Sequence, residues 1–87
     1  LAFKIEFTNE AVLSIKKLSK DTKTDVKAKI LWLAENSDII IHKKLKGKYY
    51  DEMYKLRIGD YRIIYSLNKK DKQIFIELVG HRKSIYK

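Results

Sequence analysis

An α+β fold is predicted by three features of the sequence. A short alternating apolar segment opens the chain, two segments then carry apolar residues at helical spacing, and the period changes to two from about Met53 onward. The expected architecture is an N-terminal strand, an antiparallel helix hairpin and a three-stranded antiparallel meander. The helices should pack on one face of a mostly antiparallel four-stranded sheet, because each amphipathic element must bury its apolar side against another.

Phe3-Lys4-Ile5-Glu6-Phe7 alternates strictly and reads as a strand with Phe3, Ile5 and Phe7 inward. Thr8 is placed to cap a helix over roughly Asn9 to Leu18, with Glu10 in its first turn. Ala11, Ile15 and Leu18 form its stripe. Asp21 or Thr22 is expected to cap a second helix running to about Asn36, with Val26, Ile30 and Leu33 inward and Trp32 and Ala34 flanking. The connection near 19–22 is short enough for a hairpin. Ile39-Ile40-Ile41 reads as an apolar plug onto the core, followed by a dense basic run containing His42, Lys43, Lys44, Lys46 and Lys48.

Tyr54, Leu56 and Ile58 alternate with Lys55 and Arg57, and Gly59-Asp60 is a two-residue hairpin signal. A tight turn there sets Ile58 opposite Tyr61, Arg57 opposite Arg62, Leu56 opposite Ile63 and Tyr54 opposite Tyr65. A polar loop over Lys69 to Lys72 sets Leu67 opposite Ile74, Tyr65 opposite Ile76 and Ile63 opposite Leu78. Every apolar partner then falls on one face, and a slip of one residue would destroy that match. The other face carries Lys55, Arg57 and Arg62.

Size and composition bound the function. The chain has 87 residues, 45% hydrophobic and 36% charged, which suits a single domain spanning 1–87. No apolar run approaches the ~18 residues of a spanning helix, and Leu1-Ala2-Phe3-Lys4-Ile5-Glu6 is too charged to read as a signal peptide. Cysteine is absent, so a cytoplasmic fold held by packing is expected, with no thiolate metal site. Two histidines without clustered carboxylates give no metal site either. Twenty Lys and Arg against eleven Asp and Glu give a net charge of +9, which favours a polyanionic partner.

Only three of the twenty basic residues are arginines: Arg57, Arg62 and Arg82. Like charges opposite one another on a sheet are unfavourable. A facing Arg57–Arg62 pair therefore points to an anion between them, and the planar, permanently charged guanidinium fork suits phosphate. Arg82 follows the last strand and can converge on the same place. His42 reads as solvated, and Tyr54, Tyr61 and Tyr65 read as core.

Leu45-Lys46-Gly47, Tyr54-Lys55-Leu56-Arg57, Tyr61-Arg62-Ile63-Ile64-Tyr65 and Val79-Gly80-His81-Arg82-Lys83-Ser84-Ile85-Tyr86 occur in this order. The set resembles the RelE/ParE superfamily of bacterial and archaeal toxin–antitoxin toxins, its RelE branch most closely. The resemblance implies an mRNA interferase that enters the ribosomal A site and cuts mRNA by metal-independent attack of the 2′-hydroxyl, with no cofactor. By the resemblance, Arg62 holds the scissile phosphate and Arg82 matches the arginine after the last strand. Tyr86 would stack on a base or assist proton transfer, and Lys55 matches a second-strand lysine. The loop lysines Lys43, Lys44, Lys46 and Lys48 would touch ribosomal RNA, and Arg57 and Lys83 extend the RNA-binding set. The C-terminal helix of some members has no expected counterpart.

Such chemistry needs a base, an acid and cations for the phosphorane charge. His81 is one candidate base, since imidazole titrates nearest neutrality; Lys55 is the other. The implied partners are a RelB-like acidic or amphipathic antitoxin, the ribosome and mRNA, with no membrane, and the toxin monomeric when free. Two rivals stand beside this reading: a ParE-like toxin that poisons DNA gyrase on the same fold, and an RNA-binding module without chemistry.

Overall fold

The computed structural model of the protein describes residues 2–46 and 52–85. The elements are β1 (Lys4–Phe7), α1 (Asn9–Lys16), α2 (Lys20–Asn36), β2 (Lys43–Lys44), β3 (Met53–Ile58), β4 (Tyr61–Asn68), β5 (Gln73–His81) and α3 (Arg82–Ile85). The strands form one sheet in the order β1-β5-β4-β3-β2. β1 runs parallel to β5, and the other neighbours are antiparallel. The sheet has five strands rather than the expected four. The addition is β2, whose two residues are too few to show an alternation; Lys43 pairs with Lys55 and Lys44 with Tyr54.

The β3–β4 register is the expected one at every pair, including Arg57 opposite Arg62. Gly59 supplies the turn with φ +58°, a conformation that costs glycine little. The β4–β5 register is as expected at Leu67–Ile74 and Tyr65–Ile76, then shifts by one. Ile63 faces Val79, not Leu78, because a bulge leaves Glu77 without a cross-strand partner. The N-terminal segment holds this irregularity. The Thr8 hydroxyl lies within hydrogen-bond distance of the Ile76 and Glu77 carbonyls, and Ser14 Oγ accepts from the Val79 N–H at 3.0 Å. Four-residue β1 is shorter than nine-residue β5, so residues of the cap and of α1 satisfy part of the edge that β1 does not reach.

Thr8 caps α1, accepting from the Ala11 N–H at 3.1 Å. The cap of α2 is Ser19 rather than Asp21 or Thr22, and α1 ends at Lys16, before Leu18. The main core joins Ala11, Val26, Ile30 and Leu33 to Phe3, Ile63, Tyr65, Ile74, Ile76 and Val79. Burying each large aliphatic side chain is worth about 1.5–3 kcal/mol. Two expected core contacts do not form: Phe7 is half exposed, and of Ile39-Ile40-Ile41 only Ile40 packs inward, Ile39 and Ile41 being 79% and 90% exposed.

The opposite sheet face has a small apolar cluster of its own. Leu45, Ile64 and Ile85 are buried there, with Met53 and Leu78 against them. Ile85 arrives on α3, a single helical turn where no C-terminal helix was expected. Gly80 gives it room: a Cβ at this position would stand 3.2 Å from Ile85 Cγ1. Among the described residues, no helix is long and apolar enough to cross a membrane.

Candidate nucleic-acid interface

The cationic site follows from the register. Lys43, Lys55 and Ile64 lie side by side across three strands, with Arg57 and Arg62 in the neighbouring row. Because β2 pairs only with Tyr54 and Lys55, the stretch of β3 from Leu56 onward is left open on that side. A cleft of about 390 Å³ occupies this edge. Lys43, Lys55, Arg57 and Arg62 line it together with Leu56 and Tyr65 from the sheet, Trp32 from α2, and Ile40 and Ile41 from the preceding loop. No acidic side chain is among these lining residues.

Lys55 and Arg62 are half-buried, while Lys43 and Arg57 are exposed. Arg57 Nε donates to the Gly59 carbonyl at 3.2 Å, and Arg62 Nη1 to the Tyr61 carbonyl at 3.2 Å. These contacts orient the guanidinium groups without neutralising them. Among the described residues none of the four cations forms an ion pair with a carboxylate.

The remaining predicted residues are distributed differently. Arg82 reaches the same hairpin end, where its N–H donates to the Asp60 carbonyl at 2.8 Å and its Nε stands 3.9 Å from Asp60 Oδ1. Its side chain does not line the cleft. The bulge determines where His81 goes. It pairs with Tyr61, on the helix side of the sheet, with ring centroids 5.4 Å apart. His81 Nδ1 accepts from the Lys83 N–H at 3.2 Å, so the neutral ring carries its proton on Nε2. Lys44 pairs with Tyr54, a residue of the helix-side register, so it lies on the opposite face from Lys43. Lys46 and Lys83 are exposed. Lys48 and Tyr86 lie outside the described residues.

His42, expected to be solvated, is half-buried and bonded at both nitrogens. Nε2 is 2.9 Å from the Ser37 carbonyl, which can only accept, so Nε2 carries a proton. In the neutral ring Nδ1 then accepts from the Tyr65 hydroxyl at 2.6 Å. Tyr54 stacks on Tyr65 at 5.6 Å, and His42 meets both rings edge-on. Burial pushes the Tyr65 phenol well above its ordinary range, with a smaller contribution from Tyr54. This cluster anchors the residue next to Lys43 and so braces the cleft wall. Sequence reasoning missed it because His42 stands in a lysine run. It also missed Trp32, whose one signal was a place beside the buried stripe of α2. Among the described residues, no group of three or more His, Asp or Glu comes close enough to hold a metal ion.

The model of the ParE toxin of type II toxin–antitoxin systems, parDE, matches residues 5–86, and the chain belongs to this family. Solved structures agree in fold. The chain is similar to the toxin–antitoxin complex RelBE2 from Mycobacterium tuberculosis, at TM-score 0.81 and 22% identity over 94% of this chain and 93% of that one. It is similar to the archaeal RelE–RelB complex from Pyrococcus horikoshii OT3, at TM-score 0.72 and 28% identity over 94% and 97%. The RelB–RelE complex from Methanococcus jannaschii matches at TM-score 0.69 and 30% identity over 92% and 93%. Among curated proteins none matches this chain.

Proposed function

We propose that this protein is the toxin of a RelBE-type toxin–antitoxin pair and acts as an endoribonuclease, cutting mRNA in the ribosomal A site and so stopping translation. One observation carries the reading: the facing Arg57–Arg62 pair opens, with Lys43 and Lys55, into a cleft that no carboxylate lines among the described residues. Such a cluster is costly when empty and is relieved by a backbone phosphate.

The reaction needs no cofactor. The ribose 2′-oxygen attacks the adjacent phosphorus as its proton passes to a base. The P–O5′ bond breaks and the departing 5′-oxygen takes up a proton. The products are a 2′,3′-cyclic phosphate and a 5′-hydroxyl. Arg62 and Arg57 stabilise the phosphorane charge, with Lys43 orienting the strand. Of the two candidate bases, Lys55 shares the cleft with Arg62 and His81 does not, which favours Lys55. Arg82, held against Asp60 at the hairpin end, and, by the family resemblance, Tyr86 belong to the same catalytic set.

The partner is a RelB-like antitoxin. Phe7, Val12, Leu13 and Leu31 are between 40% and 59% exposed, and an apolar groove between β1, α1 and α2 carries Lys16, Lys23 and Lys27 on its rim. An amphipathic antitoxin helix with acidic flanks fits such a surface.

Purified toxin added to ribosomes programmed with a defined mRNA tests the reading. It is supported by A-site cleavage with cyclic phosphate ends. Intact mRNA together with DNA damage in expressing cells would favour the gyrase-poisoning alternative. RNA binding without cleavage would leave a non-catalytic module.

A further inference from the structure

We propose that Trp32 is a stacking platform for an RNA base whose flanking phosphates sit on Lys43, Lys55, Arg57 and Arg62. The assignment rests on the ribonuclease reading and adds a base-recognition subsite to it. Trp32 is the chain's sole tryptophan, 40% exposed, and belongs to neither apolar cluster. A small domain ordinarily spends its largest apolar side chain on the core. Here the indole lies on the wall of the cationic cleft instead.

The surroundings select the occupant. The Lys29 ammonium sits 4.3 Å from the indole centroid, a cation over a π-face. With the four cleft cations, five positive groups accompany an exposed aromatic wall, and among the described residues no acidic side chain lines the cleft. An acidic protein segment would satisfy the charges, but its backbone does not repeat a flat π-face between them. A single-stranded nucleic acid satisfies both, because phosphates alternate with flat π-faces along its length. Ile41, 90% exposed at the cleft, adds an apolar flank for the base.

The lone tryptophan reports on its own site. Indole emission is followed while the full chain is titrated with a 2′-O-methyl RNA trinucleotide, which binds but cannot be cleaved, and with an abasic oligomer of equal charge. Affinities are measured in parallel by calorimetry. The expected result is saturable quenching by the base-bearing oligomer only. Trp32→Ala should weaken its binding roughly five- to hundredfold while leaving the abasic oligomer unchanged, and Trp32→Phe should retain most of the affinity. The subsite is overturned if the two oligomers bind equally, if Trp32→Ala changes nothing, or if neither oligomer binds. Ribosomal cleavage abolished by Arg62→Ala alongside any of those outcomes would remove the stacking assignment and keep the nuclease reading.

Discussion

Arg57 and Arg62 stand directly opposite one another on adjacent antiparallel strands, and neither is paired with a carboxylate among the described residues. Facing like charges destabilise a sheet by about 0.2–1 kcal/mol. Arg57→Ala should therefore leave stability unchanged or raise it by up to about 1 kcal/mol. The same substitution should weaken RNA binding and reduce the slope of log affinity against log salt by about 0.7, the share of one phosphate contact on a single strand. Thermal unfolding and a salt titration of oligonucleotide affinity check the two halves separately.

The choice of base divides Lys55 from His81. Lys55 shares a cleft with Arg62, whereas the bulge at Glu77 turns His81 toward Tyr61. Lys55→Met should slow single-turnover cleavage by about 10²–10⁴-fold, the ordinary contribution of a general base. His81→Gln should stay within a few-fold of the parent. Single-turnover rates on programmed ribosomes read both; the reverse order would transfer the role to His81.

Tyr65→Phe tests the buried cluster. It leaves His42 Nδ1 without its donor and should cost about 1–3 kcal/mol of stability. The phenol is raised on folding, so its favourable contribution is present below the unfolded value of about 10. That contribution is lost as pH climbs above 10, because the unfolded chain ionises first. Denaturation midpoints between pH 8 and 11 should fall more steeply for the parent than for Tyr65→Phe.

Antitoxin binding and RNA cleavage should separate on the surface. Leu31 is 56% exposed, lines the apolar groove and is not among the residues that line the cleft. Leu31→Glu adds a desolvated charge to the docking face. It should weaken capture of the cognate antitoxin by tenfold or more, in line with the ~1–3 kcal/mol cost of an unpaired buried polar group, and leave ribosomal cleavage unaltered. Calorimetry with the antitoxin and the cleavage assay together give the comparison.

Much of this geometry was legible in the residues. The Gly59-Asp60 turn fixes the β3–β4 register, which sets Arg57 against Arg62 and puts Lys55 on their face. The register failed beyond Ile64 because the bulge is stabilised by Thr8 and Ser14, more than sixty residues away, and periodicity carries no such information. That one-residue shift exchanged Leu78 for Val79 in the core and moved His81 to the helix side. Ile64 reads as an apolar residue beside charges on the far face, until Ile85 and Leu45 come to cover it and the shifted Leu78 packs against them. Ile39 and Ile41 misled in the opposite direction: a triple isoleucine looks like core, yet only its middle member packs inward. Trp32 reaches the cleft from a different layer, so no local pattern could join it to Lys55 or Arg62.

The proposed reading requires that Arg62 and its neighbours hold the phosphate being cut. Its most direct test is the single-turnover rate of mRNA cleavage on programmed ribosomes by Arg62→Ala, its folding matched to the parent by circular dichroism. A fall of about 10²–10³-fold is predicted, the usual loss when one group stabilising transition-state charge is removed. Cleavage at the parental rate would contradict it.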